Sequence, residues 1–175
     1  MRLPFFTIGH SNRSIDEFIA LVQSANVESI VDVRRLPGSN RHPQFNEDAL
    51  RESLGANSIR FDRIPELGGR RRVSKDVPFE TNAFWQNRSF HNYADYALSD
   101  DFNRGYDRLV AIGREARTAV MCSEAVWWRC HRRIIADHLL ARGETVFHLM
   151  NAGRENSADL TPGAIVAGNT VTYPA

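Results

Sequence analysis

A chain of 175 residues is the size of one domain, able to bury about two thirds of its unfolded surface, which excludes a small scaffold that depends on staples. An apolar share of 42% beside 25% charged residues excludes a disordered, fibrous or low-complexity chain. The 22 basic and 21 acidic residues leave a formal net charge of +1, which argues against indiscriminate coating of nucleic acid by charge.

Phe5-Phe6-Thr7-Ile8-Gly9 predicts a short buried strand, and His10-Ser11-Asn12-Arg13 the turn after it. Ser14 and Glu17 have the spacing of a capping box, ahead of Ile15, Phe18, Leu21 and Val22 on one helical face. A brief link then leads to the β-branched run Ile30-Val31-Asp32-Val33-Arg34. Strand, helix and strand in this order predict a βαβ unit with a parallel sheet and a right-handed crossover.

Residues 35–46 are rich in Pro, Gly, Asn and Arg and read as a surface loop, followed by a helix over 47–54 and a strand at Ile59-Arg60-Phe61. Residues 64–75 contain Leu67-Gly68-Gly69 and then Arg70, Arg71 and Arg72, a further loop. Long ordered loops in a compact domain usually serve a site or an interface. Apolar positions from Phe90 through Tyr93, Phe102, Tyr106 and Leu109 to Gly113 predict one long helical region.

Residues 118–122 read as a strand, 129–142 as a helix stopped by Gly143, and 145–150 as a strand. The tail from Asn151 reads as irregular apart from a terminal strand at 170–173. No repeat or linker divides the chain. The expectation is a single three-layer α/β domain over residues 1–175, its mainly parallel central sheet flanked by helices.

Neither a basic region followed by a long apolar run at the start nor an apolar stretch near the roughly 18 residues of a membrane helix is present. A cytoplasmic protein without a membrane partner is expected. Cys122 and Cys130 are too few for a disulfide-dense secreted scaffold.

Ligands of open parallel sheets bind beyond the carboxyl ends of the strands. Three polar sets follow predicted strands: residues 10–12, 32–35 and 122–124. A helix starting near Arg129 would turn its first N–H groups, with neighbouring guanidinium groups, toward a pocket suited to phosphate, sulfate or carboxylate. His10, Ser11, Arg34, Arg35 and Arg132 are the candidate anion-binding residues. Only Lys75 is a lysine while 21 residues are arginines. Either planar, bidentate anion recognition or an arginine-biased genome accounts for that ratio.

Cys122, at a strand mouth near positive groups, is a candidate nucleophile with Glu124 and His131 as proton shuttles; as a free cysteine it also reads, and more commonly, as a small buried hydrophobe. Cysteines with seven residues between them do not form the compact zinc knuckle, so no metal is assigned. A redox pair would need Cα atoms within about 7 Å, which spacing leaves open. Gly68-Gly69 lacks the lysine and hydroxyl of a P-loop, Gly9 is no dinucleotide fingerprint, and no cofactor is implied. Arg41 with Arg70, Arg71 and Arg72 are candidate nucleic-acid contacts, with tyrosines and Trp127-Trp128 available for stacking.

Taken together, Thr7-Ile8-Gly9-His10-Ser11, Asp32-Val33-Arg34-Arg35 with Pro37, Ser39, Pro43, Gln44 and Phe45, Leu67-Gly68-Gly69, and Cys122-Ser123-Glu124 with Cys130-His131-Arg132 resemble the family called domain of unknown function 488. The motifs occur in the family's order across residues 7–150. Asn40 separates Ser39 from Arg41 where that motif has serine and arginine adjacent. The resemblance implies a compact α/β protein with a polar, anion-binding cleft and carries no reaction with it. The leading expectation is an enzyme acting on a phosphorylated or otherwise anionic small molecule, or a nucleotide, through Cys122. The alternatives are a noncatalytic nucleotide- or nucleic-acid-binding module and a structural or interaction protein.

Overall fold

The computed structural model describes residues 2–38 and 41–175. Ser39 and Asn40, where the loop departs from the family motif, lie outside the described residues. Alternating with the helices are five parallel strands: β1 (Phe5–Gly9), β2 (Ser29–Asp32), β3 (Arg60–Arg63), β4 (Thr118–Cys122) and β5 (Val146–Asn151). Antiparallel β6 (Arg154–Ser157) completes a sheet of order β3-β2-β4-β1-β5-β6. The protein is a single α/β domain with helices on both faces of a mixed, mostly parallel sheet, as the element pattern predicts.

Strand alternation decides which residues face which helices. Phe6, Ile8, Ile30, Ala119 and Met121 pack with α1 (Ile15–Ser24) and α2 (Glu47–Ala56). Phe5, Val31, Val120 and Cys122 face the other way, against α3 (Arg88–Tyr96), α4 (Asp100–Glu115) and α5 (Arg132–Ala141). Cys122 is therefore committed to the α3–α5 face by its place in β4. The capping box of α1 forms as expected, with Ser14 accepting from Glu17 N and the Glu17 carboxylate accepting from Ser14 N.

Two expectations change. The single long helical region is broken: α3 ends at Tyr96 and Ser99 caps α4 by accepting from Phe102 N, with Asp100 and Asp101 in the favoured first turn. The tail is more regular than expected, because Gly153 (φ 77°) turns β5 into β6 and Gly168 (φ 60°) turns β7 (Ile165–Ala167) into β8 (Thr170–Thr172). Among the described residues, no helix is long and apolar enough to cross a membrane.

The chain runs from β1 through α1 to β2 on one face, and from β4 through α5 to β5 on the other. β1 and β4 are neighbours whose connections depart in opposite directions, so the ground beyond their carboxyl ends is the topological switch point of the sheet. Pairing continues past the strand ends: His10 N donates to Cys122 O, Ser11 N to Ser123 O and Val33 N to Met121 O, at 2.9–3.0 Å. Three polar segments are thereby laced side by side.

Candidate functional site at the strand ends

Gly9 makes this lacing feasible. A Cβ there would stand 1.7 Å from Glu124 O and 2.7 Å from the Arg132 guanidinium, so only glycine admits the loop after β4. Arg132 lies fully buried beneath that loop. Its Nη1 donates to Glu124 O at 2.6 Å and lies 2.7 Å from Cys122 Sγ, and its Nη2 donates to Ala125 O at 3.1 Å.

A short 3₁₀ turn at Trp127–Arg129 precedes α5, so the helix starts three residues later than Arg129. That turn folds Cys130 back over Cys122, leaving the two sulfurs 2.6 Å apart. The amide N of Arg132, in the first turn of α5, donates to Cys130 Sγ at 3.4 Å. Burial and the neighbouring Cys130 push the Cys122 thiol up. Burial opposes ionisation of Cys130 too, but the hydrogen bond from Cys122 and the charge and N–H of Arg132 outweigh it and hold this thiol below its ordinary value. The two ionisations belong to the pair, and Cys130 is the more readily ionised of the two.

His131 presents its ring to the same sulfur. Its Nε2 lies 2.9 Å from Val33 O, which only accepts, so Nε2 carries the hydrogen. Burial lowers its pKa and keeps it neutral, leaving the Nδ1 lone pair 3.6 Å from Cys130 Sγ. Gly69 closes against this ring, where a Cβ would meet His131 Nδ1 at 2.9 Å, and Tyr93 packs edge-on 5.0 Å away. Gly69 of the Leu67-Gly68-Gly69 motif is thus fixed by its close approach to the His131 ring. Tyr93 fastens the motif by donating to Leu67 O at 2.8 Å.

These groups floor a cleft of about 390 Å³ lined also by Arg34, Arg35, Arg70, Glu124 and Arg129. Among the described residues, no acidic side chain pairs with Arg35, Arg70 or Arg129. A larger adjoining cavity of about 1010 Å³ shares Arg34, Arg35, Gly69 and Arg70 and adds Arg63, Arg71 and Arg72, together with Asp76, Asp95 and Asp100. Arg35 donates to Arg70 O at 2.9 Å, bridging the two lobes.

Of the residues named from sequence, Cys122, Glu124, His131, Arg34 and Arg35 share the cleft with Arg70, while Arg71 and Arg72 face the larger lobe. His10, Ser11 and Arg41 line neither. Arg34 is buried and held by Asp32, with Nε–Oδ1 3.0 Å and Nη2–Oδ2 2.8 Å, and its Nη1 donates to Phe45 O at 2.7 Å. His10 stacks on Phe45 and gives its Nδ1 hydrogen to Ser11 O at 2.8 Å, turning its Nε2 lone pair toward Arg34. Burial, reinforced by Arg34, lowers its pKa to about 4. Arg71 stacks on Tyr96 and donates to Gly68 O and Pro65 O, holding the loop. Trp127 stacks on His148 at 4.4 Å, whereas Trp128 is exposed.

Sequence reasoning weighed Cys130 as half of a redox pair but gave neither Cys130 nor Arg129 a catalytic or anion-binding role, although Cys130-His131 was the available signal. Among the described residues, four other than glycine have positive φ. Asn26 and Ser58 follow helices, the usual place for it, but Ser11 (φ 51°) and Arg70 (φ 56°) are at or beside the strand ends. Among the described residues, no group of three or more His, Cys, Asp or Glu side chains is arranged to hold a metal ion.

Comparison with curated proteins and with solved structures gives no match. The model of one family, Domain of unknown function DUF488, matches residues 14–139, most of the chain and three of the four motif groups named above; the chain belongs to the DUF488 family.

Proposed function

We propose that the protein is a thiol-dependent enzyme acting on a small anionic substrate, of the phosphorylated or nucleotide class, bound in the strand-end cleft. The observation that carries this reading is a cysteine pair on the floor of a cleft whose rim bears Arg35, Arg70 and Arg129, without acidic partners among the described residues. Guanidinium groups over a buried, readily ionised thiol recruit an anion and hold its electrophilic atom above the sulfur. The attacking sulfur is then Cys130 rather than the Cys122 expected above. His131 Nδ1 takes the thiol proton, Arg132 steadies the charge, and the exposed Glu124 carboxylate on the cleft wall relays that proton to the leaving group.

The test compares alkylation by iodoacetate and iodoacetamide, which differ mainly in charge. An ordinary thiol reacts faster with the neutral reagent. Here iodoacetate is expected to modify Cys130 the faster, inorganic phosphate to slow it, and Cys130→Ser to abolish it, as read by peptide mass spectrometry. Faster reaction with iodoacetamide, unaffected by phosphate, would overturn the proposal.

A second reading, a noncatalytic nucleic-acid-binding module, draws on the larger lobe with Arg70, Arg71 and Arg72. It requires affinity for single-stranded RNA or DNA that falls steeply with salt and survives Cys130→Ser. Affinity unchanged across a salt series removes it.

A further inference from the structure

We infer that Cys122 and Cys130 are a two-electron redox couple, which a hydroperoxide entering the cleft converts from dithiol to disulfide. The inference rests on the preceding reading for one point only, that Cys130 is the sulfur that attacks. The pair's closure requires no anionic substrate.

Three observations carry it. The chain has two cysteines and no others. Both lie in the same cleft with their sulfurs in contact at 2.6 Å, so bridging requires little backbone movement. Each sulfur also has its own polar support: the α5 N–H reaches Cys130, and the Arg132 guanidinium lies 2.7 Å from Cys122. A thiol pair buried only for packing needs neither donor.

In the first step Cys130 gives its thiol proton to His131 Nδ1 as its sulfur attacks one peroxide oxygen. The S–O bond forms, the O–O bond breaks, and the departing oxygen takes up the proton that Cys130 gave to His131, leaving an alcohol or water. Cys130 is now a sulfenic acid, oxidised by two electrons, and the hydroperoxide is reduced by the same two. In the second step Cys122 attacks the Cys130 sulfur, while the guanidinium beside it favours the thiolate. The S–S bond forms, the S–O bond breaks, and the hydroxyl leaves with the Cys122 proton as water. The oxidised protein has no attacking sulfur, and a dithiol reductant restores it by exchange.

The experiment treats the full chain with hydrogen peroxide, unfolds it, blocks remaining thiols with iodoacetamide and maps the peptides. The wild type is expected to lose both alkylatable thiols together, to yield the Cys122 and Cys130 peptides linked within one chain, and to regain both thiols with dithiothreitol. Cys122→Ser is expected to stop at the sulfenic acid, captured at Cys130 by dimedone, and Cys130→Ser to give no dimedone adduct. Retention of both thiols by the folded wild type, while the unfolded chain loses them, would overturn the inference, as would linkage between chains alone. The wild-type arm stands even where a variant fails to fold. Iodoacetate preference is read on the reduced protein, so failure of the substrate reading and failure of the redox couple are seen separately.

Discussion

Arg34 and Arg35 are consecutive, yet Arg34 lies inside the protein and Arg35 on the rim of the cleft. Arg34 spends its guanidinium on Asp32, Phe45 O and His10, and Arg132 is likewise consumed by two carbonyls and the Cys122 sulfur. Arg35 touches one backbone oxygen through Nη1 and has no acidic partner among the described residues, as is true of Arg129. Guanidinium groups of one chemistry thus divide into those that build the floor and those that face whatever enters. An arginine count measures neither; burial and satisfaction separate them.

The largest effect that would break this division is on stability. Arg34→Met leaves the Asp32 carboxylate buried without its partner and is expected to cost about 3–5 kcal/mol in urea unfolding. Arg35→Met, one residue on, should shift stability by no more than about 0.5 kcal/mol. Adding Asp32→Asn to Arg34→Met should recover part of the loss, since the stranded charge is gone. Equal costs at the two arginines would end the distinction.

The buried side also holds neutral histidines. Burial lowers the pKa of His10 and His148 to about 4 and of His138 to about 3, and both ring nitrogens of His138 lack a hydrogen-bond partner among the described residues. The unfolded histidines take up protons as pH falls through about 6.5, and the folded ones refuse them until far lower. Between those values the unfolded state binds more protons, so stability is full above about 6.5 and falls as pH drops, by about 1.4 kcal/mol per pH unit for each such histidine. Urea unfolding at pH 7 and pH 5 reads the slope. His138→Leu should remove its share of that slope, and a pH-independent stability would place these rings in water.

Much of the layer order is legible in the sequence because alternating apolar strands and capped helices encode it locally: Ser14 with Glu17, the run at Ile30, and residues 118–122 all occur as periodicity predicts. The break between α3 and α4 was available in Ser99-Asp100-Asp101, and the terminal hairpin in Gly168-Asn169, but a continuous helical period masked the first and polar composition the second. The cleft follows from the rule that loops beyond parallel strands converge. The contact of Cys122 with Cys130 does not, because it depends on the 3₁₀ turn at Trp127–Arg129. Nor does the inward turn of Arg34, which depends on Asp32 and Phe45 meeting it from two segments.

The smallest effect sharpens the outward side. Arg70 holds φ +56°, a conformation that crowds its Cβ, while its backbone oxygen accepts from Arg35. Arg70→Gly relieves about 1–2 kcal/mol of that strain, against about 0.4–1 kcal/mol for a freer unfolded chain. A net gain of about 0.5–1 kcal/mol is therefore expected. Arg70→Ala removes the same charge and keeps the Cβ, so it should gain nothing. Both variants should weaken the preference for iodoacetate over iodoacetamide at Cys130 by the same factor, because that preference reads the guanidinium and not the backbone. A stability loss in Arg70→Gly would mean that the loop draws order from the arginine side chain; an undiminished preference in both variants would remove Arg70 from the anion rim. The expected pairing, more stable and less selective, would identify Arg70 as a residue whose backbone cost is kept for the charge it presents.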